Sequence, residues 1–202
     1  MSVHLAIDTA APRLQLGLLL GDVRVDAVVE EMPTGQAEAL FPRLAGLLER
    51  NGVGYNDISR IAVTTGPGSF TGLRIGLAAA RGLGLALGVP VLGVPSLLAI
   101  SLSAAPGAVS VLLDARRDEA YFERFLAPGV SADGPRLLTM EAARSAVEAG
   151  DLLIESAYVD IVLLARFAAG LDPKSYPPEA AYIRDADAKP QEKFRVARAV
   201  TP

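Results

Sequence analysis

The first thirty residues alternate between apolar and polar positions. Val3, Leu5 and Ile7 share one face of the first segment, because successive side chains of a β-strand point to opposite faces. Residues 14–18 and 23–29 repeat the alternation after short stretches of turn-forming residues. The pattern predicts a meander of three β-strands joined by tight turns.

Helical spacing then replaces the alternation. Leu40, Leu44 and Leu47 fall on one face of a predicted helix, residues 38–50, which ends before Gly52. The elements predicted next are a strand at 58–65, a glycine-rich loop at 66–72, a helix at 73–87, a strand at 91–94 and a short helix at 96–103 capped by Ser96. This order predicts a mixed sheet with helices packed on it. A doubly wound nucleotide-binding fold would alternate strand and helix from the start.

The second half of the chain carries a similar order of elements. Strands are predicted at 111–113 and 121–125 around a polar hairpin at 114–119, followed by a helix at 140–149, a strand at 152–154 and a helix at 160–169. The order of these elements resembles that of the first half, which is the pattern of a strongly diverged internal repeat. We therefore predict two lobes, 1–105 and 106–202, the second of them reduced and ending in a partly mobile tail from residue 184.

Composition excludes several kinds of site. The 202 residues include no cysteine and one histidine, His4. Disulfides, thiolate zinc sites and a cysteine nucleophile are therefore excluded, and one chain cannot supply a metal site with two histidines. The net charge of −4 disfavours independent binding of nucleic acid, because contacts to phosphates need clustered Lys and Arg.

A long uncharged stretch, residues 82–113, has the length of a membrane span. Pro90, Pro95 and Pro106 divide it, so we predict a helix end, strands and a short helix there. Asp8 interrupts the first apolar stretch and no basic segment precedes it, so a signal peptide is not expected. The expected location is the cytoplasm.

The glycine-rich loop offers one kind of chemistry. A loop of this type at the start of a helix can cradle an anion, because helix N–H groups point outward there. A carboxylate and a hydroxyl at the end of the first strand can add magnesium and phosphate ligands. The candidate phosphate-binding residues are Asp8, Thr9, Gly68, Ser69 and Thr71. The alternative is a tight turn in which glycine adopts positive φ, beside an Asx turn; a Walker loop is excluded because no Gly-Lys-Ser/Thr follows.

Small residues recur every four positions along the second predicted helix, at 72, 76, 80, 84 and 88. Glycine inside a helix costs up to about 1 kcal/mol relative to alanine, so a close approach must offset it. Packing within the chain and contact with a second chain are both open alternatives. The second alternative predicts that Gly76→Leu abolishes partner binding while the monomer stays folded.

Several blocks carry a resemblance to a known family. Residues 64–76, Thr-Thr-Gly-Pro-Gly-Ser-Phe-Thr-Gly-Leu-Arg-Ile-Gly, resemble the hallmark of the TsaB (YeaZ) family. Further blocks match in the expected order at residues 5–9, 93–97, 114–121 and 182–184. Two positions depart from the family pattern, since Gln36 stands where members often have His and Ala10 where they often have Ser.

The resemblance implies an α/β fold of the actin/Hsp70-like type (ASKHA, ribonuclease H-like), with two lobes of mixed sheets flanked by helices. It implies a non-catalytic scaffold of the complex that transfers threonylcarbamoyl to adenosine of tRNA. Such a scaffold binds a TsaD-type catalytic subunit, helps to recruit a TsaE-type ATPase and forms a homodimer when alone. It would contact tRNA only through the complex and bind no cofactor alone, with ATP or ADP and magnesium expected at the partner interface.

Family partner contacts run through two helices of the first lobe, here 38–50 and 72–87. The interface residues expected from the resemblance are Leu40, Phe41, Leu44, Gly72, Ile75, Gly76, Ala79, Ala80 and Leu83. The catalytic relative holds a metal with two histidines, which this chain cannot supply. The alternative function is an ATP-dependent phosphotransferase of the same fold, whereas a peptidase is disfavoured because no cysteine, histidine pair or evident triad is present.

Overall fold

The computed structural model describes residues 2–21, 23–181 and 183. The first half forms a five-stranded sheet in the order β3-β2-β1-β4-β5. Its strands are β1 (Val3–Asp8), β2 (Arg13–Leu20), β3 (Arg24–Glu31), β4 (Ile58–Thr64) and β5 (Val91–Val94). The first three strands pair antiparallel, and β4 and β5 join them in parallel. The predicted meander and mixed sheet are therefore confirmed.

Three helices accompany this sheet, namely α1 (Gln36–Arg50), α2 (Phe70–Leu87) and α3 (Ser96–Ser101). The Ser69 hydroxyl accepts the N–H of Gly72 and caps α2, so α2 begins three residues earlier than predicted and the loop is shorter. The predicted cap at Ser96 is wrong, because Pro95 occupies the N-cap position. The Ser96 hydroxyl instead accepts the N–H of Gly66 at 3.2 Å.

The second half forms another sheet, in the order β10-β6-β7-β8, with β9 also paired to β7. Its elements are β6 (Val109–Arg116), β7 (Glu119–Ala127), β8 (Val130–Ser131), β9 (Arg136–Thr139), α4 (Met140–Ser145), β10 (Leu152–Ile154) and α5 (Ile161–Ala169). The sequence pattern missed β8 and β9, which are short and lack alternation. The predicted hairpin at 114–119 was too long, since β6 and β7 extend to within two residues of each other.

The two halves share one order of elements. In each, a central strand pairs antiparallel with the next strand, a third strand joins on the far side, and a parallel strand returns after a helix. Thus β6, β7, β9 and β10 correspond to β1, β2, β3 and β4, and this correspondence supports the duplication. The lobe boundary at 105/106 falls between α3 and β6 and stays a prediction, because α5 packs against β1 and β2 of the first sheet.

Helices and sheets alternate in layers. One core lies where α1 and α2 cover the outer face of the first sheet. A second core fills the space between the two sheets and contains α3 and α5. A smaller cluster forms where α4 packs on the outer face of the second sheet. The apolar composition of the chain is accounted for by three buried layers.

The uncharged stretch 82–113 is divided among the end of α2, β5, α3 and the start of β6, as predicted. Among the described residues, α2 is the helix with the length and composition to cross a membrane. One side of α2 packs on β4 and β1 within the first sheet layer. Core packing therefore accounts for the apolar side of α2.

The small residues of α2 face the chain's own sheet. A Cβ atom at Gly72 would overlap the carbonyl oxygen of Thr9, and one at Gly84 would overlap Val91. A Cβ atom at Gly76 would lie 2.6 Å from Oγ1 of Thr9. Close packing inside the chain thus offsets the helix cost of these glycines, which favours the first alternative and leaves the contact with a second chain through this stripe without support.

The Gly76→Leu expectation changes accordingly. We predict that this variant does not fold, and that Gly76→Ala loses about 1–3 kcal/mol of unfolding free energy through overpacking. Gly82→Ala is the matched control in the same helix, since nothing lies within 4 Å of its Cβ position, and it gains up to about 1 kcal/mol. Urea denaturation measures all three; a Gly76→Leu variant as stable as the parent would contradict the assignment.

An ion pair joins the end of α1 to β3. The Arg50 guanidinium donates to Oδ2 and Oδ1 of Asp26 at 2.7 and 2.8 Å, and Asn51 donates to Oδ2 at 2.7 Å. Hydrogen bonding from Arg50, more than that from Asn51, lowers the pKa of Asp26 from 3.8 to about 2. The carboxylate therefore contributes stability at pH values above its unfolded pKa, and the contribution is lost as the pH falls towards 2.

We predict that Asp26→Asn lowers the unfolding free energy by about 1 kcal/mol at pH 7, a figure reduced for solvent screening because both side chains are partly exposed. The difference from the parent should shrink as the pH is lowered through 4 towards 2. Glu49→Gln is the control, because no hydrogen bond or ion pair is recorded for that exposed side chain among the described residues. A pH-independent effect of Asp26→Asn in urea titrations would contradict the ion-pair account.

Candidate functional site

Asp8 lies at the end of β1 and is fully buried. Its Oδ1 atom accepts the Thr64 hydroxyl at 2.6 Å and the Ala10 N–H at 3.1 Å. Its Oδ2 atom accepts the Gln15 amide at 2.9 Å, because Gln15 lies opposite Asp8 in the antiparallel pair. The three donors and the burial leave the carboxyl group no exposed surface, so the structure gives its predicted role as a magnesium or phosphate ligand no support, and that role stays a prediction.

Thr9 is also buried and hydrogen-bonded within the chain. The residue is 1% exposed, and its hydroxyl donates to the carbonyl oxygen of Gly72 at 2.7 Å. This bond ties the first turn of α2 to the end of β1. Because its one hydroxyl proton is already donated within the chain, the structure gives the predicted phosphate role of Thr9 no support either, and that role stays a prediction.

The loop before α2 interlocks with the loop after β1. The Ser69 N–H donates to the Ala10 carbonyl oxygen at 2.7 Å. A Cβ atom at Gly68 would lie 2.7 Å from the same oxygen and 2.8 Å from the Ala10 methyl group. Glycine at 68 is thus required by the close approach of two backbones. The Ala10 methyl is part of this contact, which gives the family departure at that position a packing role.

A cavity of about 420 Å³ lies between the two halves of the chain. Residues from both halves line it, including Ala10, Gly68, Ser69, Ser96, Asp114, Arg116, Tyr121 and Glu155. Of the five predicted phosphate-binding residues, Gly68 and Ser69 line the cavity and Asp8 and Thr9 are buried. Thr71 belongs to α2 and lines a different pocket, on the outer surface. The structure therefore does not bring the five together.

Gln36, the other departure from the family pattern, is buried at the start of α1. Its side-chain amide donates to the carbonyl oxygens of Ala11 and Arg13 at 3.1 and 2.8 Å. These bonds fasten the first turn of α1 to the connection between β1 and β2. The Ala11 oxygen also accepts the Arg13 N–H at 2.7 Å, so the glutamine adds a second donor there and a side-chain donor to the Arg13 oxygen.

A groove of about 590 Å³ runs between α1 and α2 on the outer surface. Its lining consists of small or apolar residues with one cation, namely Ala37, Leu40, Phe41, Phe70, Thr71, Arg74, Ile75, Ala78, Ala79 and Gly82. Phe41 and Phe70 are 45% and 54% exposed. The Arg74 guanidinium lies 3.7 Å from the centre of the Phe70 ring. Exposed aromatic rings beside a cation are typical of protein interaction surfaces.

The groove retains part of the expected partner interface. Four expected residues line it, namely Leu40, Phe41, Ile75 and Ala79. Five others pack in the chain's own interior and do not line the groove, so their contact with a partner stays a prediction without support from the structure: Leu44, Gly72, Gly76, Ala80 and Leu83.

Sequence reasoning missed part of the groove. Phe70, Arg74, Ala78 and Gly82 form a second series with four-residue spacing. This series is displaced by two residues, about 200° around the helix, from the glycine stripe. The signal was therefore present in the sequence, as the face opposite to the one that packs on the sheet.

Several known proteins and one protein family resemble this chain in sequence. Residues 33–134, half of the chain, match the family TsaD, tRNA N6-adenosine threonylcarbamoyltransferase. An uncharacterized protein of Mycobacterium tuberculosis is 40% identical over 143 residues, 67% of this chain and 64% of that protein. The tRNA threonylcarbamoyladenosine biosynthesis protein TsaB of Escherichia coli is 37% identical over 125 residues, 60% of this chain and 54% of that protein. The match thus spans between about half and two thirds of these relatives.

Solved structures confirm the expected fold. YeaZ from Pseudomonas aeruginosa superposes with a TM-score of 0.73 at 25% identity, over 90% of this chain and 100% of that chain. The two mixed sheets flanked by helices are of the actin/Hsp70-like (ASKHA) α/β type. Sequence family, curated relatives and fold agree, and the chain belongs to the TsaB (YeaZ) family.

Proposed function

We propose that this protein is a non-catalytic scaffold in the biosynthesis of threonylcarbamoyladenosine in tRNA. The names of its relatives support the pathway. The sequence supports a non-catalytic role, because its one histidine lies within β1 and a metal site with two histidines cannot be built from this chain. Asp8 and Thr9 add to this support, since internal hydrogen bonds occupy the side chains that would bind magnesium or phosphate.

The groove between α1 and α2 is the proposed docking surface for a TsaD-type catalytic subunit. The observation that carries this proposal is the pair of half-exposed rings, Phe41 and Phe70, on either side of a floor of small residues. Small residues let a partner helix approach closely, and the rings supply apolar area that loses water on docking. Arg74 adds a cation at the rim.

The other parts of the proposed function rest on the membership of the TsaB family. Without the catalytic subunit, a second copy of the chain occupies the groove as a homodimer. The complex helps to recruit a TsaE-type ATPase and holds ATP or ADP with magnesium at the partner interface. The protein reaches tRNA only through the complex, because its net charge of −4 is unfavourable for phosphate contacts. The proposed location is the cytoplasm.

The docking surface is tested by removing the two rings. We predict that Phe41→Ala combined with Phe70→Ala weakens binding of a TsaD-type subunit by roughly thirtyfold or more, the range of buried aromatic hot spots. The monomer should stay folded, because both rings are half-exposed. Leu85→Ala is the matched control on the same helix, since Leu85 is 88% exposed and lies outside the groove. Calorimetric titration that finds parent affinity for the double variant would contradict the proposal.

An ATP-dependent phosphotransferase is the second candidate, favoured by the cavity between the halves and by Arg116 on its wall. For a scaffold, we predict no micromolar binding of ATP with magnesium to the isolated chain, because Asp8 and Thr9 are engaged internally. Isothermal calorimetry measures the binding. Micromolar affinity that Arg116→Ala removes would favour the phosphotransferase instead.

A further inference from the structure

Residues Tyr176–Ala181 cross the carboxyl ends of β4 and β5, and we call this segment the strap. At one end, the Gly93 N–H of β5 donates to the Tyr176 carbonyl oxygen at 2.9 Å. At the other end, the Ala181 N–H donates to the carbonyl oxygen of Thr65 at 2.9 Å. The strap therefore spans from the last strand of the first sheet to the residue that opens the loop before α2.

The strap lies close to the backbone beneath it. A Cβ atom at Gly93 would overlap the Pro177 carbonyl oxygen and lie 2.8 Å from Cα of Pro178. A Cβ atom at Gly66 would lie 3.2 Å from the Ala181 carbonyl oxygen. Gly93 and Gly66 thus leave room for the strap at both ends of its path. Ala180 packs against the core that contains α1 and α2.

The two prolines shape the strap. Proline fixes φ near −65° and has no N–H, so Pro177 and Pro178 stiffen the middle of the segment and remove two donors. The backbone hydrogen bonds that join the strap to β5 and to the loop lie at its two ends, whereas the Glu179 N–H donates within the strap to the Pro177 carbonyl oxygen at 2.8 Å. A stiff segment with fixed ends transmits its position to the groups that it contacts.

The loop that the strap contacts leads directly into the first turn of α2. Gly66 is held between the strap and Ser96, whose N–H donates to the Gly66 carbonyl oxygen at 2.8 Å. Three residues later Ser69 caps α2, and the first turns of α2 carry Phe70 and Arg74 of the groove. The strap, the loop and the groove are thus consecutive links in one chain of contacts.

We propose that the strap is a positioning element: it fixes the loop 65–69 and thereby the orientation of the first turn of α2 that the partner meets. The effect on partner binding rests on the proposed docking function. The effect on the loop does not, because it is a property of the isolated chain.

The experiment compares three variants of the full chain. Ala181→Pro removes the N–H that donates to Thr65 and is the decisive variant. Gly93→Val displaces the other end of the strap but also crowds Cγ2 of Thr65, 2.5 Å from its Cβ position, so it serves as a supporting variant. Gly46→Ala, in α1 with nothing within 4 Å of its Cβ position, is the control for a glycine substitution. We expect amide hydrogen exchange of Ser69, Gly72 and Leu73 to rise by about tenfold in the first two variants, as for the loss of one or two net hydrogen bonds. Exchange in α5 should not change.

The outcomes separate the two parts of the proposal. Unchanged exchange of the three amides in both strap variants would overturn the positioning role. Faster exchange with weaker binding of a TsaD-type subunit supports both parts. Faster exchange with parent affinity supports the positioning of the loop and counts against the groove as the docking surface.

A measurement on the parent chain covers variants that do not fold. In native-state exchange with added denaturant, the amides of Gly93 and Ala181 should open together with those of Ser69 and Leu73, at one common free energy. Opening of the strap amides alone, while the loop amides stay protected up to global unfolding, would overturn the proposal.

Discussion

The hydrogen bonds of the buried Asp8 carboxyl group hold together the region from which both candidate surfaces extend. One oxygen accepts from Thr64 on β4 and the backbone of Ala10, and the other accepts from Gln15 on β2. A carboxyl group buried without donors would be strongly unfavourable, so these three donors must stay in place. The ends of three neighbouring strands and the following turn are therefore fixed relative to one another.

The fixed turn determines how α2 packs. Ala10 accepts the N–H of Ser69, and Thr9 donates to Gly72, so the loop and the first helical turn are both bonded to the end of β1. The backbones come so close at Gly72 that no side chain fits there, and a Cβ atom at Gly76 would crowd Oγ1 of Thr9. This close approach buries one face of α2 against the sheet. The opposite face, which carries Phe70 and Arg74, lines the groove.

The same arrangement shows that residue types typical of phosphate sites can serve the packing of the chain. The end of β1 adjoins the glycine-rich loop, but of the predicted phosphate-binding residues only Gly68 and Ser69 line the cavity. The side chains of Asp8 and Thr9, however, bond to the chain itself rather than to the cavity between the halves. In this chain, the Asp8 and Thr9 side chains instead hold β1 to β4 and to α2, which lines the groove.

The sequence by itself determined the elements with strong periodicity. The meander, α1, β4, β5 and α5 were predicted because alternation and helical spacing are local properties of the chain. Only the tertiary structure decided that β8 and β9 pair with β7, since two- and four-residue strands form through their neighbours and not through their own pattern. It also decided which face of α2 is buried and that Asp8 is satisfied internally, because both depend on residues more than fifty positions apart in the chain. The contacts of the strap were likewise decided by the tertiary structure, because Gly93 and Thr65 are far from the strap in the sequence and meet it only when the chain returns to the first sheet.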